Sequence, residues 1–182
     1  MLSDNDEIPN LDSMQFINNK NDIVLFNQLF FYYKFNLLYD KMIWPGTKGC
    51  KKKKLKSLSW LRNIKLKKYP FWRLDTLFSH TKYIDMNVIK DGGWHFTNMK
   101  TPEDMYEKFM NFGHHDEFKL SGLTIDKIEN KVKNKELFYN HLADSSDQKK
   151  WESNYKLKQI SIENLPKYLI NNKEKYKEWF DI

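Results

Sequence analysis

The chain reads as an α/β protein, with strands mainly in the first half and helices in the C-terminal half, on three observations. "DIVLFNQLFFYYKFNLLY", residues 22–39, is a long β-branched and aromatic stretch that suits two strands or one long bent strand. "TPEDMYEKFMNFG", residues 101–113, carries the marks of a helix: Thr101 as N-cap, Pro102 at the first helical position and Glu103 and Asp104 in the first turn. Met105, Phe109 and Phe112 then share one face, and Gly113 is placed to end the helix. Third, no internal repeat, Ser/Gly linker or break in composition divides the chain, so residues 1–182 read as a single domain.

The other elements follow from spacing. After Pro9, Leu11, Met14 and Ile17 recur at helical intervals and predict a short helix. "SLSWLRNIK", residues 57–65, predicts a helix opened by Ser57 or Ser59. "KYIDMNVI" alternates like a strand and runs into "KDGGWHFTNM", where paired glycines break the pattern. Beyond Gly113, Thr124 opens a second amphipathic helix with Ile125, Ile128 and Val132 facing inward. The last segment, "SIENLPKYLINNKEKYKEWF", offers Tyr168, Leu169, Tyr176 and Trp179 for packing.

Composition excludes several classes. At 40% hydrophobic and 16% aromatic the chain is far from a disordered sequence, and 182 residues suffice to bury roughly two thirds of the unfolded surface. The single Cys50 excludes an internal disulfide framework and a cysteine-based zinc site, which makes a reducing compartment the default. No apolar run approaches the roughly 18 residues of a membrane helix, and acids stand where a signal peptide has basic residues. A cytoplasmic protein without a membrane segment is therefore expected.

The net charge of +7 and pI near 9.2 invite a nucleic-acid reading. Only Arg62 and Arg73 among 31 basic residues are arginine, the side chain whose planar fork reads bases and phosphates, and this argues against it. Most of the lysine is solvated surface. The run "CKKKKLK", Cys50 to Lys56, is either a strand or loop edge protected by lysine or a patch for a polyanion.

Chemistry concentrates at the beginning. In "SDNDEIP" Asp4 and Asp6 are one residue apart, so in an extended segment both carboxylates point to the same side, about 7 Å apart. A turn at Asn5 would let them converge on one hard cation such as magnesium or manganese, which can in turn hold a diphosphate. The plainer alternative is an acidic tail before Pro9, and a terminal segment with no strand before it is expected to fray.

The run "DGGWHFTNMKTPEDMYEKFMNFGHHDEF", taken with "SDNDEIP", resembles glycosyltransferase family 17, relatives of the β-1,4-mannosyl-glycoprotein 4-β-N-acetylglucosaminyltransferase. The residues that carry the resemblance are Asp4, Asp6, Glu7, Ile8 and Pro9, the Gly93-Trp94-His95 element, and Thr101 to Glu103. "WPGTK" from Trp44, Leu61-Arg62, "FGHHDEF" from Phe112 and "LPKYLINN" from Leu165 match more weakly, in the family's order. In the family the acidic triplet lies mid-domain, at a strand end of a GT-A type α/β fold, with the nucleotide-binding half before it. The resemblance therefore implies part of a GT-A fold: the C-terminal portion with the metal motif and acceptor side, its N-terminal nucleotide-binding part absent or supplied in trans, and little activity alone.

The resemblance also implies roles. Asp6, with Asp4 directly or through water, would bind a divalent metal, manganese or else magnesium, that neutralises the diphosphate of a UDP-sugar donor. His95 would be a further metal or phosphate ligand, or else a buried histidine beside Trp94; Trp94 would stack on a sugar or fill the core. Glu7, Trp44 and Lys48 fall at substrate-contacting positions, and His114, beside His115, on the acceptor side. Glu117 ahead of Asp91 would take the proton of the glycan acceptor's hydroxyl. Two other classes stay open: a catalytically inert remnant that binds glycan or a partner, and a basic nucleic-acid module using the lysine run.

Overall fold

A computed structural model describes residues 1–182 apart from 66–68, 83–85, 114 and 145–146, and apart from the side chains of 148 and 149. Among the described residues the chain is mixed α/β, with a seven-stranded sheet and seven short helices. Two compact units divide it: Met1–Phe30 with Lys41–His95, and Phe31–Asp40 with Phe96–Ile182.

In the first unit the sheet is organised by β2, Ile23–Tyr32, whose sequence IVLFNQLFFY is buried at eight of ten positions. Such a run, apolar on both sides, is what a central strand covered on both faces requires. It pairs antiparallel with β4, Trp44–Cys50, from Ile23 opposite Cys50 to Gln28 opposite Trp44, with a register shift between Leu25 and Asn27. On its other edge it pairs parallel with β5, Met86–Ile89, from Ile23 opposite Met86 to Phe26 opposite Ile89. β6, Gly93–Thr97, also neighbours β2, and β1, Glu7–Pro9, pairs antiparallel with β6.

The acidic N-terminal segment, expected to fray, is held at two points. Leu2 N–H donates to the Lys48 carbonyl at 2.8 Å and Lys48 N–H returns the bond to Leu2 at 2.9 Å, while β1 adds its ladder to β6. The predicted helices of this half are present: α1, Met14–Ile17, is one turn, and α2, Leu58–Asn63, is capped by Ser57, whose hydroxyl accepts from Trp60 N–H. Leu61 of α2 and the following Ile64 bury against Ile23. A further one-turn helix, α3, Asp75–Phe78, was not predicted.

The second unit contains the end of β2, where Phe31 stands opposite Leu38 of β3, Leu37–Leu38. The long aromatic stretch is thus two strands, turned at Tyr33 in the left-handed region with φ 66°. β7, Lys158–Gln159, completes this edge against β3. The helices are α4, Pro102–Met110, α5, His115–Leu120, α6, Ile125–Lys133, and α7, Lys167–Asn171. Thr101 and Thr124 cap α4 and α6 through side-chain oxygens that accept from Asp104 and Lys127 N–H. α4 packs on α5 and α6, around buried Met105, Phe118 and Ile128.

Four expectations need correction. Strands and helices are not segregated by half: α1 to α3 precede β5, and β7 lies near the end, where it covers the edge of a two-residue strand. α4 stops at Met110 with Asn111 as its C-cap, so Phe112 lies beyond the helix and is half exposed, and Gly113 caps nothing. Ile125, in the first turn of α6, stays exposed while Ile128 is fully buried. Of the closing segment's residues offered for packing, Leu169 is buried in α7, which starts after Pro166, while Tyr168 is left in solvent.

The paired glycines place β6. Gly93 has φ +115°, and a Cβ there would lie 2.1 Å from the Ile8 carbonyl oxygen; one at Gly92 would lie 2.4 Å from that of Asn27. Gly93→Ala is therefore expected to destabilise the protein by about 2 kcal/mol or more, and Gly113→Ala, which meets nothing, to change stability by less than about 0.5 kcal/mol, in urea unfolding.

Candidate functional site

Register brings two distant sequence motifs together in the first unit. β1 and β6 pair Glu7 with His95, Ile8 with Trp94 and Pro9 with Gly93, so the acidic segment and the Gly-Trp-His element are directly opposed. Alternation along the strands puts Glu7 and His95 on one face and Trp94 on the other. The aromatic neighbour of His95 is accordingly Trp44, stacked at 4.3 Å between centroids and 7° between planes, with Phe30 at 4.9 Å. Trp94 is half-buried on the opposite face.

Glu7 is held by three donors. Trp44 Nε1–H donates to its carboxylate at 2.8 Å, Asp4 N–H at 3.2 Å and the Thr47 hydroxyl at 3.4 Å. Beside it a cleft of about 190 Å³ is lined by Leu2, Asp4, Glu7, Trp44, Lys48 and Arg62 together with Pro45 and Gly46. Two carboxylates face two cations there. Lys48 donates to the carbonyls of Arg62 and, at 2.9 Å, of Ile64, and its burial pulls its pKa below the ordinary lysine value. Gly46 leaves the space a side chain would take: a Cβ would fall 2.0 Å from Gln28 Oε1, a buried oxygen without a hydrogen-bond donor among the described residues.

The chain turns at Asn5 and Asp6, with Glu7 N–H donating to the Asp4 carbonyl at 3.2 Å. The two aspartates nonetheless take different partners. Asp4 lies 3.9 Å from Arg62, both exposed, while Asp6 Oδ1 lies 3.7 Å from Nδ1 of buried His95. Among the described residues no three His, Cys, Asp or Glu side chains gather as a metal-binding group. Asp6 and His95 are close enough for both to touch one ion, so this oxygen and nitrogen pair fits a borderline divalent cation whose other ligands come from elsewhere. Asp91 stands apart, exposed and accepting from Asn10 Nδ2 at 2.9 Å. His114 lies outside the described residues, and the neighbouring His115 pairs with Asp116 at 3.2 Å.

Glu117 belongs to the second unit, where it lines a cavity of about 340 Å³ walled by Phe109, Phe112, Tyr139 and Trp151. Its carboxylate lies 2.6 Å from the ammonium of Lys150, a lysine only 8% exposed. Further round, Tyr32 and His141 form a hydrogen bond at 3.2 Å, and Lys108 donates to Asn98 Oδ1 at 2.8 Å. Asn98 follows β6 in the left-handed region, φ 52°, which asparagine tolerates better than most residues. Burial raises the Tyr32 hydroxyl above its ordinary value near 10, and a hydrogen bond from Asn98 opposes the rise. The buried indole N–H of Trp151 has no acceptor among the described residues.

Sequence reading missed most of this cavity. Tyr32, Asn98, Lys108, His141, Lys150 and Trp151 lie as far as 119 positions apart along the chain, and no local spacing joins them. The Lys150–Glu117 contact in particular joins a 3₁₀ turn at Gln148–Trp151 to α5. No protein-family model, curated protein or solved structure matches the chain.

Two outcomes are expected. Glu117→Ala removes the carboxylate against a buried ammonium and should cost about 1–3 kcal/mol in chemical denaturation, with much of it restored in Glu117→Ala/Lys150→Met. The raised hydroxyls of Tyr32 and Tyr33, both held up by burial, stabilise the fold fully below the unfolded tyrosine value near 10 and less as pH climbs above it. Stability should therefore fall above about pH 10, and Tyr32→Phe should reduce the slope of that fall.

Proposed function

We propose that the chain is a metal-dependent glycosyltransferase that moves N-acetylglucosamine or a related sugar from a UDP-sugar to a glycan acceptor. One observation supports this reading above the rest: the acidic segment and the Gly-Trp-His element, more than eighty positions apart, are ladder partners, with Glu7 opposite His95. Asp6 and His95 are the residues that would hold the divalent ion, manganese before magnesium, with Asp4 beside Arg62 at the cleft mouth. When bound, the ion supplies charge neutralisation for a departing diphosphate.

This chain's own residues do the positioning. Trp44 covers His95 on one side and donates to Glu7, so one side chain fixes both the imidazole plane and the carboxylate. Arg62, largely exposed at the cleft, offers a guanidinium to phosphate oxygens. On the acceptor side, the aromatic walls around Glu117 suit the C–H face of a sugar ring, and the Trp151 indole N–H suits a hydroxyl oxygen. Glu117, paired with the Lys150 ammonium at 2.6 Å and set among the aromatic walls, is the first candidate base, and Asp91, exposed and accepting from Asn10, the second. The same cavity without turnover would make the chain the inert glycan-binding alternative.

Manganese with UDP at about ten times Kd should raise Tm by about 3–5 °C, because the pair binds only the folded chain, and Asp6→Asn should abolish the rise. With a nucleotide-binding segment supplied in trans, UDP release with manganese and candidate glycan acceptors should be lost in Asp6→Asn and reduced by about 100-fold or more in Glu117→Gln. An unchanged thermal shift in Asp6→Asn removes the acidic segment from the function. A glycan that binds without UDP release moves the chain to the inert class.

A further inference from the structure

The lysine run beside Cys50 has no part in either cavity's chemistry, and the structure gives it a neighbour. Within eight residues of the first unit, Phe71, Trp72, Leu74, Leu77 and Phe78 are 66 to 86% exposed. Leu74, Leu77 and Phe78 have the i, i+3, i+4 spacing of one helical side, while Thr76, on the other side of α3, is buried. The polarity of this turn is inverted: its apolar side meets solvent and its hydroxyl faces in, bonded to the Arg73 carbonyl at 2.7 Å. Phe71 and Trp72 precede this turn, also exposed, their rings 5.1 Å apart edge to face. Single exposed apolar residues are ordinary, but five together mark a binding surface.

The segment is anchored to the lysine-bearing stretch. Trp60 Nε1–H donates to the His80 carbonyl at 2.6 Å, Lys65 N–H to the Thr81 carbonyl at 2.8 Å, and Lys56 shares a surface hollow with Leu77 and Phe78. Lys51 to Lys54 and Lys56 are all exposed. Residues 51–82 contain eleven Lys or Arg against the single Asp75, a net of +10, whereas the whole chain carries +7. The remainder is therefore at −3. Asp75 is itself held by Arg73, at 2.7 and 2.9 Å, and by Lys82 at 2.6 Å, and Asp22, from the preceding segment, is held by Lys51 at 3.0 Å and Lys54 at 3.2 Å.

We propose that Phe71, Trp72, Leu74, Leu77 and Phe78, with the exposed lysines of 51–56, form a peripheral docking surface for an anionic lipid bilayer. Aromatic and leucine side chains enter the headgroup boundary while lysines neutralise lipid phosphates and carboxylates, a combination in which each half strengthens the other. A nucleic acid would answer the lysines but leave Leu74 and Leu77 in water. The surface lies flat on a membrane and does not cross it; no helix among the described residues is long and apolar enough to do so.

The test uses the full chain with phosphatidylcholine vesicles, alone or containing about 30 mol% phosphatidylserine, in co-sedimentation at ~0.1 M and ~0.5 M salt. Binding is expected only to the anionic vesicles, weaker at high salt, with a blue shift of tryptophan emission that Trp72→Phe removes. Phe71→Ser/Phe78→Ser and, separately, replacement of Lys51 to Lys54 by Gln should each weaken binding by about tenfold or more. Both sets are exposed, so an unchanged circular-dichroism melt verifies the fold. Absence of binding to anionic vesicles overturns the proposal. So does binding that the lysine variant loses and the phenylalanine variant keeps, with duplex or single-stranded DNA competing, which assigns the patch to nucleic acid. Concentration-dependent dimerisation abolished by Phe71→Ser/Phe78→Ser, without vesicle binding, would assign it to a second copy of the chain.

Discussion

A strand buried on both faces leaves the chain no freedom at its edges: every N–H and C=O along it must find a partner strand, since water cannot reach them. β2 is that strand, and the rest of the first unit follows from satisfying it. β4 supplies one edge antiparallel and β5 the other in parallel. β4 returns the chain to the end of the sheet where β5 begins, since Cys50 and Met86 both stand opposite Ile23, so the segment between them has only β2 to pass. That connection, residues 51–85, is where the lysines and the exposed aromatic residues reside. Sheet geometry does not require a connection of this length, and the extra length leaves it room to carry a function of its own.

The same constraint shapes the cleft. β6 runs beside β2 and exposes its own outer edge, which β1 takes up, and this puts the acidic segment against His95. Once there, Glu7 is occupied by Trp44, Thr47 and the Asp4 amide. A carboxylate with so many fixed donors serves as an organiser, holding its neighbours in place in the way outer-shell groups hold ligands. Asp6, one residue earlier and half-exposed, keeps its oxygens available on the side of the imidazole. The division of labour between adjacent acids comes from where β1 begins: Glu7 is in the strand and bonded to Trp44, Thr47 and Asp4, while Asp6 sits in the turn before it and approaches His95.

Local signals were legible wherever a residue's own backbone explains its type. Ser57, Thr101 and Thr124 each cap a helix through the predicted side-chain oxygen, and the apolar run of 22–39 is the central strand with its continuation. Reading failed where a partner distant in sequence decides. Phe112 has the spacing of a core residue, yet α4 ends two residues before it, and Tyr168, offered for packing beside Leu169, is left in solvent. α3 escaped notice because its apolar side faces outward, the reverse of the pattern by which helices are found. For the site, the residue types at 4, 6, 7, 44, 48 and 95 stood out, but their geometry did not: two aspartates at alternate positions suggested one shared ion, and the fold gives Asp4 to Arg62 and Asp6 to His95.

Charge needs the same distinction between sequence totals and placement. The net of +7 suggests a basic protein, but residues 51–82 exceed that total alone, and the cleft beside Glu7 is lined by two acids and two bases. A uniformly basic surface would attract any polyanion at long range, falling off within a Debye length of roughly 10 Å at ordinary salt. Segregation does something narrower. It gathers positive charge in the segment that also carries Phe71, Trp72, Leu74, Leu77 and Phe78, and it leaves the cleft with two acids and two bases, where the groups fixed in place are Glu7, by its directed bonds, and the Trp44–His95 stack. Long-range charge and short-range geometry therefore act at different places on the chain.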